Sequence, residues 1–139
     1  MVKMRAIETN DGIQNELTVE TFDIFARNMR DKGWHGVDCM IESGITGKDL
    51  LEIGPDPGYV GLEVAKKMNL QTLTGCEISG AMLRFAQKNA AEYGIDAHYV
   101  LGNSMNMPFA DESFYRVISN GSLHERESPI AVFNEIYRL

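Results

Sequence analysis

The 139 residues suit one domain with a substantial core, and a 44% hydrophobic and 24% charged content is ordinary for a globular protein. A formal net charge of −7, with no dense Lys/Arg cluster, argues against a protein that tracks nucleic acid through its phosphates. No run of about 18 apolar residues and no charged-apolar-small leader pattern is visible, so no membrane partner is expected and a cytoplasmic location is.

Residues 1–17 are polar and are expected to be loosely ordered. Thr18 is placed to cap a helix in which Val19, Phe22, Phe25, Ala26 and Met29 recur at helical spacing, ending near Gly33. A short helix is expected from Val37 to Ser43, stopped by Gly44. These helices form an N-terminal cap, residues 1–45, ahead of the main domain at 46–139. Lys48 to Gly54 reads as a buried strand running into a turn. Gly58 to Met68 reads as a helix, with Val60, Val64 and Met68 four apart. Thr72 to Ile78 is a second strand. Ser79 caps a helix that ends at Tyr93, with Gly94 where a left-handed C-cap belongs. Ala97 to Leu101 and Tyr115 to Asn120 are the third and fourth strands. Ser128 and Pro129 then open a last helix carrying Val132, Phe133, Ile136 and Tyr137. Cys39 and Cys76 lie far apart, and His35, His98 and His124 are scattered. Free thiols and no metal site are expected.

Strands that alternate with helices of this length predict right-handed crossovers. The fold class is therefore α/β, a Rossmann-like parallel sheet of about four strands with helices on both faces. Ligands of such sheets sit at the carboxyl ends of the strands, near the point where strand order reverses. The loop Glu52-Ile53-Gly54-Pro55-Asp56-Pro57-Gly58 leads from a strand into a helix whose N-terminal amides suit an anionic group. It fails the G-x-G-x-x-G pattern of dinucleotide binding, because Asp56 and Tyr59 stand where glycines are needed. Glu77, 23 residues after Gly54 and at the end of a strand, is placed to accept from a ribose diol. Dinucleotides and adenosine-sulfonium cofactors both carry that diol. Asn103 can meet an adenine edge, with Met82 and Met105 either flanking the ring or filling core.

The segments LLEIGPDPGYVGLEVAK, GCEIS, GNSMNMPFADESFYRVISNGSLHE and FNEIYRL, in this order and spacing, resemble the small-molecule class I methyltransferases, those similar to the ubiquinone and menaquinone methyltransferases. The resemblance covers residues 40 to 139 and implies S-adenosyl-L-methionine as cofactor and a small-molecule methyl acceptor. It implies that Glu52, Gly54, Pro55, Asp56 and Gly58 cradle the methionyl part. Glu77 and Ile78 would hold the ribose side, Asn103, Ser104 and Met105 with Met82 the adenine, and Asn120 and Gly121 would border the sulfonium. Two positions depart from the pattern: Asp56 replaces a glycine and Asn103 an aspartate. An amide oxygen still accepts from an adenine amino group. A carboxylate at Asp56 would repel the cofactor's own carboxylate by up to about 4 kcal/mol at an effective dielectric near 20, unless it points to water. Aspartate does tolerate left-handed geometry.

Methyl transfer from a sulfonium is an in-line displacement, so alignment and exclusion of water are the protein's main tasks. A base is needed only where the nucleophile must lose a proton, and His124, following the fourth strand, is the candidate. The helix from Thr18 to Arg30 is a candidate lid. The ending Tyr137-Arg138-Leu139 resembles the helix turn that precedes a further strand in the family. The chain is thus expected to be incomplete on its C-terminal side, with an open edge at the fourth strand that a homodimer would cover. Two rival classes remain: a degenerate methyltransferase fold acting as a binding or dimerisation module, which Asp56 favours, and a Rossmann oxidoreductase, which the glycine count disfavours.

Overall fold

The computed structural model describes residues 11–46, 48–70 and 72–139. Four strands form its sheet: β1 (Leu50–Ile53), β2 (Thr72–Glu77), β3 (Asp96–Leu101) and β4 (Arg116–Ser119). They lie in the order β3-β2-β1-β4, and every pairing is parallel. The chain steps outward from β1 to β3 and then returns to the other side of β1. Strand order therefore reverses between β1 and β4, which opens a crevice above their carboxyl ends.

Five helices surround the sheet: α1 (Glu16–Asp31), α2 (Val37–Glu42), α3 (Tyr59–Lys67), α4 (Gly80–Tyr93) and α5 (Pro129–Arg138). Because side chains alternate along a strand, β1, β2 and β4 each feed two cores, while β3 feeds one. Leu50, Leu73, Tyr99 and Ile118 face Val37 of α2, Leu62 and Val64 of α3 and Ala86 and Ala90 of α4. Leu51, Ile53 and Cys76 face Val132 of α5 and Leu139 on the other side. Each fully buried aliphatic side chain contributes about 1.5–3 kcal/mol. All four residues of β1 are buried, as a central parallel strand requires.

Most helix boundaries follow their expected caps. Ser79 Oγ accepts the Met82 amide at 3.1 Å, Gly94 takes the left-handed conformation that ends α4, and Ser128 caps α5. The first helix is the exception. Thr18 is not its cap: Asn15 Oδ1 accepts the Thr18 amide at 3.0 Å, so α1 begins at Glu16 and residues expected to be loose form its first turn. Asparagine is the stronger cap, and Thr18 Oγ1 donates to the same oxygen instead. Residues 1–10 of the segment expected to be loose lie outside the described residues. A one-turn 3-10 helix, Leu123–Glu125, was not foreseen.

Among the described residues β4 pairs with β1 alone, and α5 exposes Ile130, Phe133 and Tyr137. No helix of the described residues is long and apolar enough to cross a membrane.

Candidate functional site

The turn after β1 is built by two residues with positive φ. Gly54 has φ 63°, and a side chain there would meet Ser122 Cβ at 2.8 Å and Arg126 Nη2 at 3.2 Å. Asp56 has φ 52°, so the residue that replaces the expected glycine does adopt a left-handed conformation, one that aspartate tolerates better than most. Its amide donates to Glu77 Oε2 at 3.0 Å, while Glu77 Oε1 accepts the Ser79 amide at 2.9 Å. Glu77, buried at the end of β2, thus ties the first loop to the start of α4.

The amides of this loop are largely committed. Gly54 N–H donates to Cys76 O at 2.9 Å and Gly58 N–H to Pro55 O at 2.8 Å. Pro55 and Pro57 have no N–H. Gly61 N–H donates to Glu52 Oε1 at 3.1 Å. The amides of Tyr59 and Val60, in the first turn of α3, are left without an acceptor among the described residues.

Glu52 is 2% exposed, and its Oε2 has no hydrogen-bond partner among the described residues. Gly61 leaves room for that oxygen, since a Cβ there would collide with it and come within 2.9 Å of Leu73 unless those side chains shifted. Burial pushes the Glu52 carboxyl up to about 8, helped by the negative charge of Asp56 and, less, of Glu77. Burial also raises the Tyr99 hydroxyl, which has no partner among the described residues, and the Cys76 thiol, which is pushed up to about 12. Cys39 and Cys76 are both free thiols.

A cavity of about 230 Å³ lies above this floor. Glu52, Gly54, Pro55 and Asp56 line one side, Asn120 and Gly121 another, and Phe22, Phe25 and Met29 of α1 the third. The first helix therefore borders the cavity beside the loop. A buried polar cluster anchors it. Asp23 Oδ1 accepts from Tyr59 Oη at 3.0 Å and from Asn89 Nδ2 at 2.9 Å, and Oδ2 pairs with Arg27 at 2.7 Å. Asn89 Nδ2 also donates to Pro57 O at 2.8 Å, closing the link to the loop. His35, which the spacing of the histidines did not single out, lines the same cavity. Its Nδ1 accepts the Val37 amide at 3.2 Å.

A second cavity of about 230 Å³ lies on the α5 side of β1, under the loop that follows β4. Ser104, Ser122 and Arg126 line it together with Val132 and Ile136, and Gly121 borders both cavities.

Glu52, Gly54, Pro55, Asp56, Asn120 and Gly121 thus gather at the first cavity, with Glu77 held behind Asp56 and Gly58 heading α3. Other residues singled out in the sequence stand apart from it. Ile78 lies under Gly12, whose Cβ position is 2.9 Å from Ile78 Cγ2, and Ser79 Oγ donates to Ile13 O. Met82 packs with Val19 and Ala81, and Met105 packs against the core on the α5 side. Asn103 Oδ1 accepts the Met105 amide at 2.9 Å, an internal turn bond. His124, 69% exposed at its side chain, lies 3.6 Å from Glu125 and lines neither cavity. Asp23, His35, Tyr59 and Arg126 were missed. Only Asp23 left a trace in the sequence, as a polar residue four after Val19 on the apolar stripe.

A parallel sheet with a crevice at its switch point, and an acidic residue closing the second strand, is the Rossmann-like arrangement. Residues 50–139 match the family model of the methyltransferase domain, and the chain belongs to the class I S-adenosylmethionine-dependent methyltransferases. It is 33% identical over 87 residues to the demethylmenaquinone methyltransferase of Desulfitobacterium hafniense, a match over 60% of this chain and 34% of that protein. It is 30% identical over 114 residues to the biotin biosynthesis bifunctional protein BioHC of Teredinibacter turnerae, covering 73% of this chain and 20% of that one. Among solved structures, a protein assigned as an S-adenosyl-L-methionine-dependent methyltransferase from Methanococcus maripaludis superposes with a TM-score of 0.82 at 23% identity. The match covers 96% of this chain and 62% of that one. The chain therefore spans a fifth to a third of the length of these two curated relatives.

Proposed function

We propose that the crevice at β1, β2 and β4 binds S-adenosylmethionine and serves methyl transfer to a small-molecule acceptor. The observation that carries this reading is the convergence of three carboxylates, Glu52, Asp56 and Glu77, on one loop. The cofactor carries a sulfonium, an ammonium and one carboxylate, and is a net cation. A dinucleotide would bring a doubly negative pyrophosphate against the charges of Asp56 and Glu77, and like charges a few ångströms apart cost several kcal/mol at a protein surface.

The residues present fit the cofactor group by group. Glu52 Oε2, buried and without a partner among the described residues, suits the ammonium, and the cation would draw the carboxyl toward its ionised form. The Tyr59 and Val60 amides at the start of α3 suit the carboxylate. A carboxylate has about four acceptor positions, so Glu77 can receive a ribose diol beside its two amides. The resemblance assigns Asn103, Ser104 and Met105, with Ile78 and Met82, to the adenine side, although none of them lines the first cavity, and Asn120 and Gly121, which do line it, to the sulfonium. When bound, the cofactor supplies a methyl group activated by positive sulfur. Around it Phe22, Phe25 and Met29 exclude water, and the Asp23 cluster fixes α1 in place to do so.

Calorimetric titration with S-adenosylmethionine, S-adenosylhomocysteine and NAD tests this. Both sulfur compounds should bind and NAD should not. Binding of NAD, or of none of the three, would overturn the reading, and the latter result would favour a scaffold without cofactor.

A further inference from the structure

We propose that His35 recognises the methyl acceptor in the first cavity by donating its Nε2 hydrogen to a carbonyl or oxyanion oxygen of that molecule, and that it acts there as a donor and not as a base. The proposal rests on the reading of this cavity as the cofactor site and adds the acceptor's side of it.

The placement comes from the turn between α1 and α2. Trp34 and His35 stand between Gly33 and Gly36, which have φ 70° and 72°. The Trp34 amide donates to Met29 O at 2.9 Å and so closes the end of α1. The next residue, His35, is 9% exposed and lines the cavity together with Phe25, Met29 and Trp34. Asn120 Nδ2 lies 3.5 Å from His35 O, so this turn adjoins the side that the resemblance assigns to the sulfonium. It belongs to neither of the loops that carry Glu52, Asp56 and Glu77.

One hydrogen bond decides which atom the ring offers. The Val37 amide donates to His35 Nδ1 at 3.2 Å. A ring nitrogen that accepts carries no hydrogen, so the neutral imidazole holds its hydrogen on Nε2. Nε2 has no partner among the described residues. Tyr59 Oη, another donor of the cavity wall, is already given to Asp23 Oδ1 at 3.0 Å. A shielded donor without a protein acceptor is satisfied by a ligand atom that accepts. Carbonyl and oxyanion oxygens, with lone pairs and no hydrogen of their own, suit it best. A nitrogen that already holds its hydrogen takes none from the acceptor, so His35 selects and orients this molecule rather than deprotonating it.

NMR of the folded chain carrying isotope-labelled histidine follows the three imidazoles, and the H35F spectrum identifies that of His35. At pH 8, above the ordinary imidazole range, its ring should carry the hydrogen on Nε2, and the opposite tautomer overturns the proposal. The chain is then titrated with acetophenone, benzoate and ethylbenzene, which share a ring and differ in the head, with and without saturating S-adenosylhomocysteine. Acetophenone or benzoate should move the His35 Nε2 signal, and the tighter of the two tells carbonyl from oxyanion. Its affinity relative to ethylbenzene should be about fivefold higher in the wild type than in H35F, the size expected of one hydrogen bond. H35Q, whose amide still donates, should keep part of that difference. Calorimetry should find S-adenosylhomocysteine affinity within about twofold of the wild type in both variants. An equal ratio in wild type and H35F, or no binding of either oxygen-bearing probe, overturns the proposal. So does an H35F variant that loses S-adenosylhomocysteine and keeps the probe, since His35 would then serve the cofactor. If H35F does not melt cooperatively, the wild-type ring decides, and an Nε2 signal unmoved at saturating probe overturns it. Probe selection through His35 without any S-adenosylhomocysteine binding would refute the cofactor reading and leave the donor site standing.

Discussion

Replacing Glu52 by glutamine should change how stability depends on pH. The folded-state carboxyl is raised from 4.5 to about 8, mainly by burial and next by the charge of Asp56. Between those values the folded chain keeps a proton that the unfolded chain has released. Stability from this group is therefore complete below about pH 4.5 and declines as pH rises toward 8. Each tenfold change in proton affinity corresponds to ~1.4 kcal/mol, which sets an upper limit of about 5 kcal/mol. Relaxation and water entry around the ionised group should bring the observed fall to roughly 2–3 kcal/mol. Glutamine never ionises in this range, and its carbonyl can still accept the Gly61 amide. Urea unfolding of both proteins at pH 5, 6, 7 and 8 isolates the effect, because other groups titrate alike in the two. The variant should match the wild type within about 1 kcal/mol at pH 5 and exceed it by about 2–3 kcal/mol at pH 8. Parallel profiles across this range would show that Glu52 ionises freely in the folded state and would refute the reasoning.

Asp56→Asn keeps a residue that tolerates positive φ and removes the charge. S-adenosylmethionine and S-adenosylhomocysteine share the carboxylate that Asp56 would repel, so the ratio of their affinities reports on the sulfonium alone. Calorimetry should show the preference for the sulfonium form falling in the variant, most at low salt, and an unchanged ratio would place Asp56 outside the field of the methyl group. Asp23→Ala should cost about 2–4 kcal/mol in thermal or urea unfolding, because Tyr59 and Asn89 lose a buried charged acceptor; a loss below about 1 kcal/mol would mean that α1 is held by packing alone. The open edge of β4 and the exposed Ile130, Phe133 and Tyr137 of α5 should support self-association at micromolar concentration, visible by sedimentation. Phe133→Glu should shift that equilibrium to monomer, and a wild type that sediments as a monomer would refute the interface.

The fold was legible where local chemistry and burial agree. Leu50 to Ile53 are apolar at three of four positions and sit in the centre of the sheet, so pattern and position coincide. Ser79 and Gly94 bound α4 because capping is a local act of one side chain or one backbone conformation. The start of α1 was misplaced because Asn15 and Thr18 are both competent caps three residues apart, and only geometry shows that one serves the other. Leu123–Glu125 gave no periodic signal, since a single turn is shorter than any period.

The site was legible as loops but not as electrostatics. In the sequence Asp56 looks like a glycine lost from the cofactor turn, and its charge looks harmful beside a carboxylate. In the fold it adopts the glycine's backbone conformation, gives its amide to Glu77, and its charge helps to keep Glu52 protonated. Three acids separated by up to 25 positions in the chain meet at one turn, and no spacing rule links them. The two prolines have a comparable consequence. They remove N–H donors that glycines would have offered, and Gly54, Asp56 and Gly58 spend theirs within the protein. An anion at this loop must therefore meet Tyr59 and Val60, deeper along α3 than the motif suggests. A loop poor in donors and rich in carboxylates selects for cations. That is why the departures from the family pattern strengthen the case for a sulfonium cofactor over a pyrophosphate one.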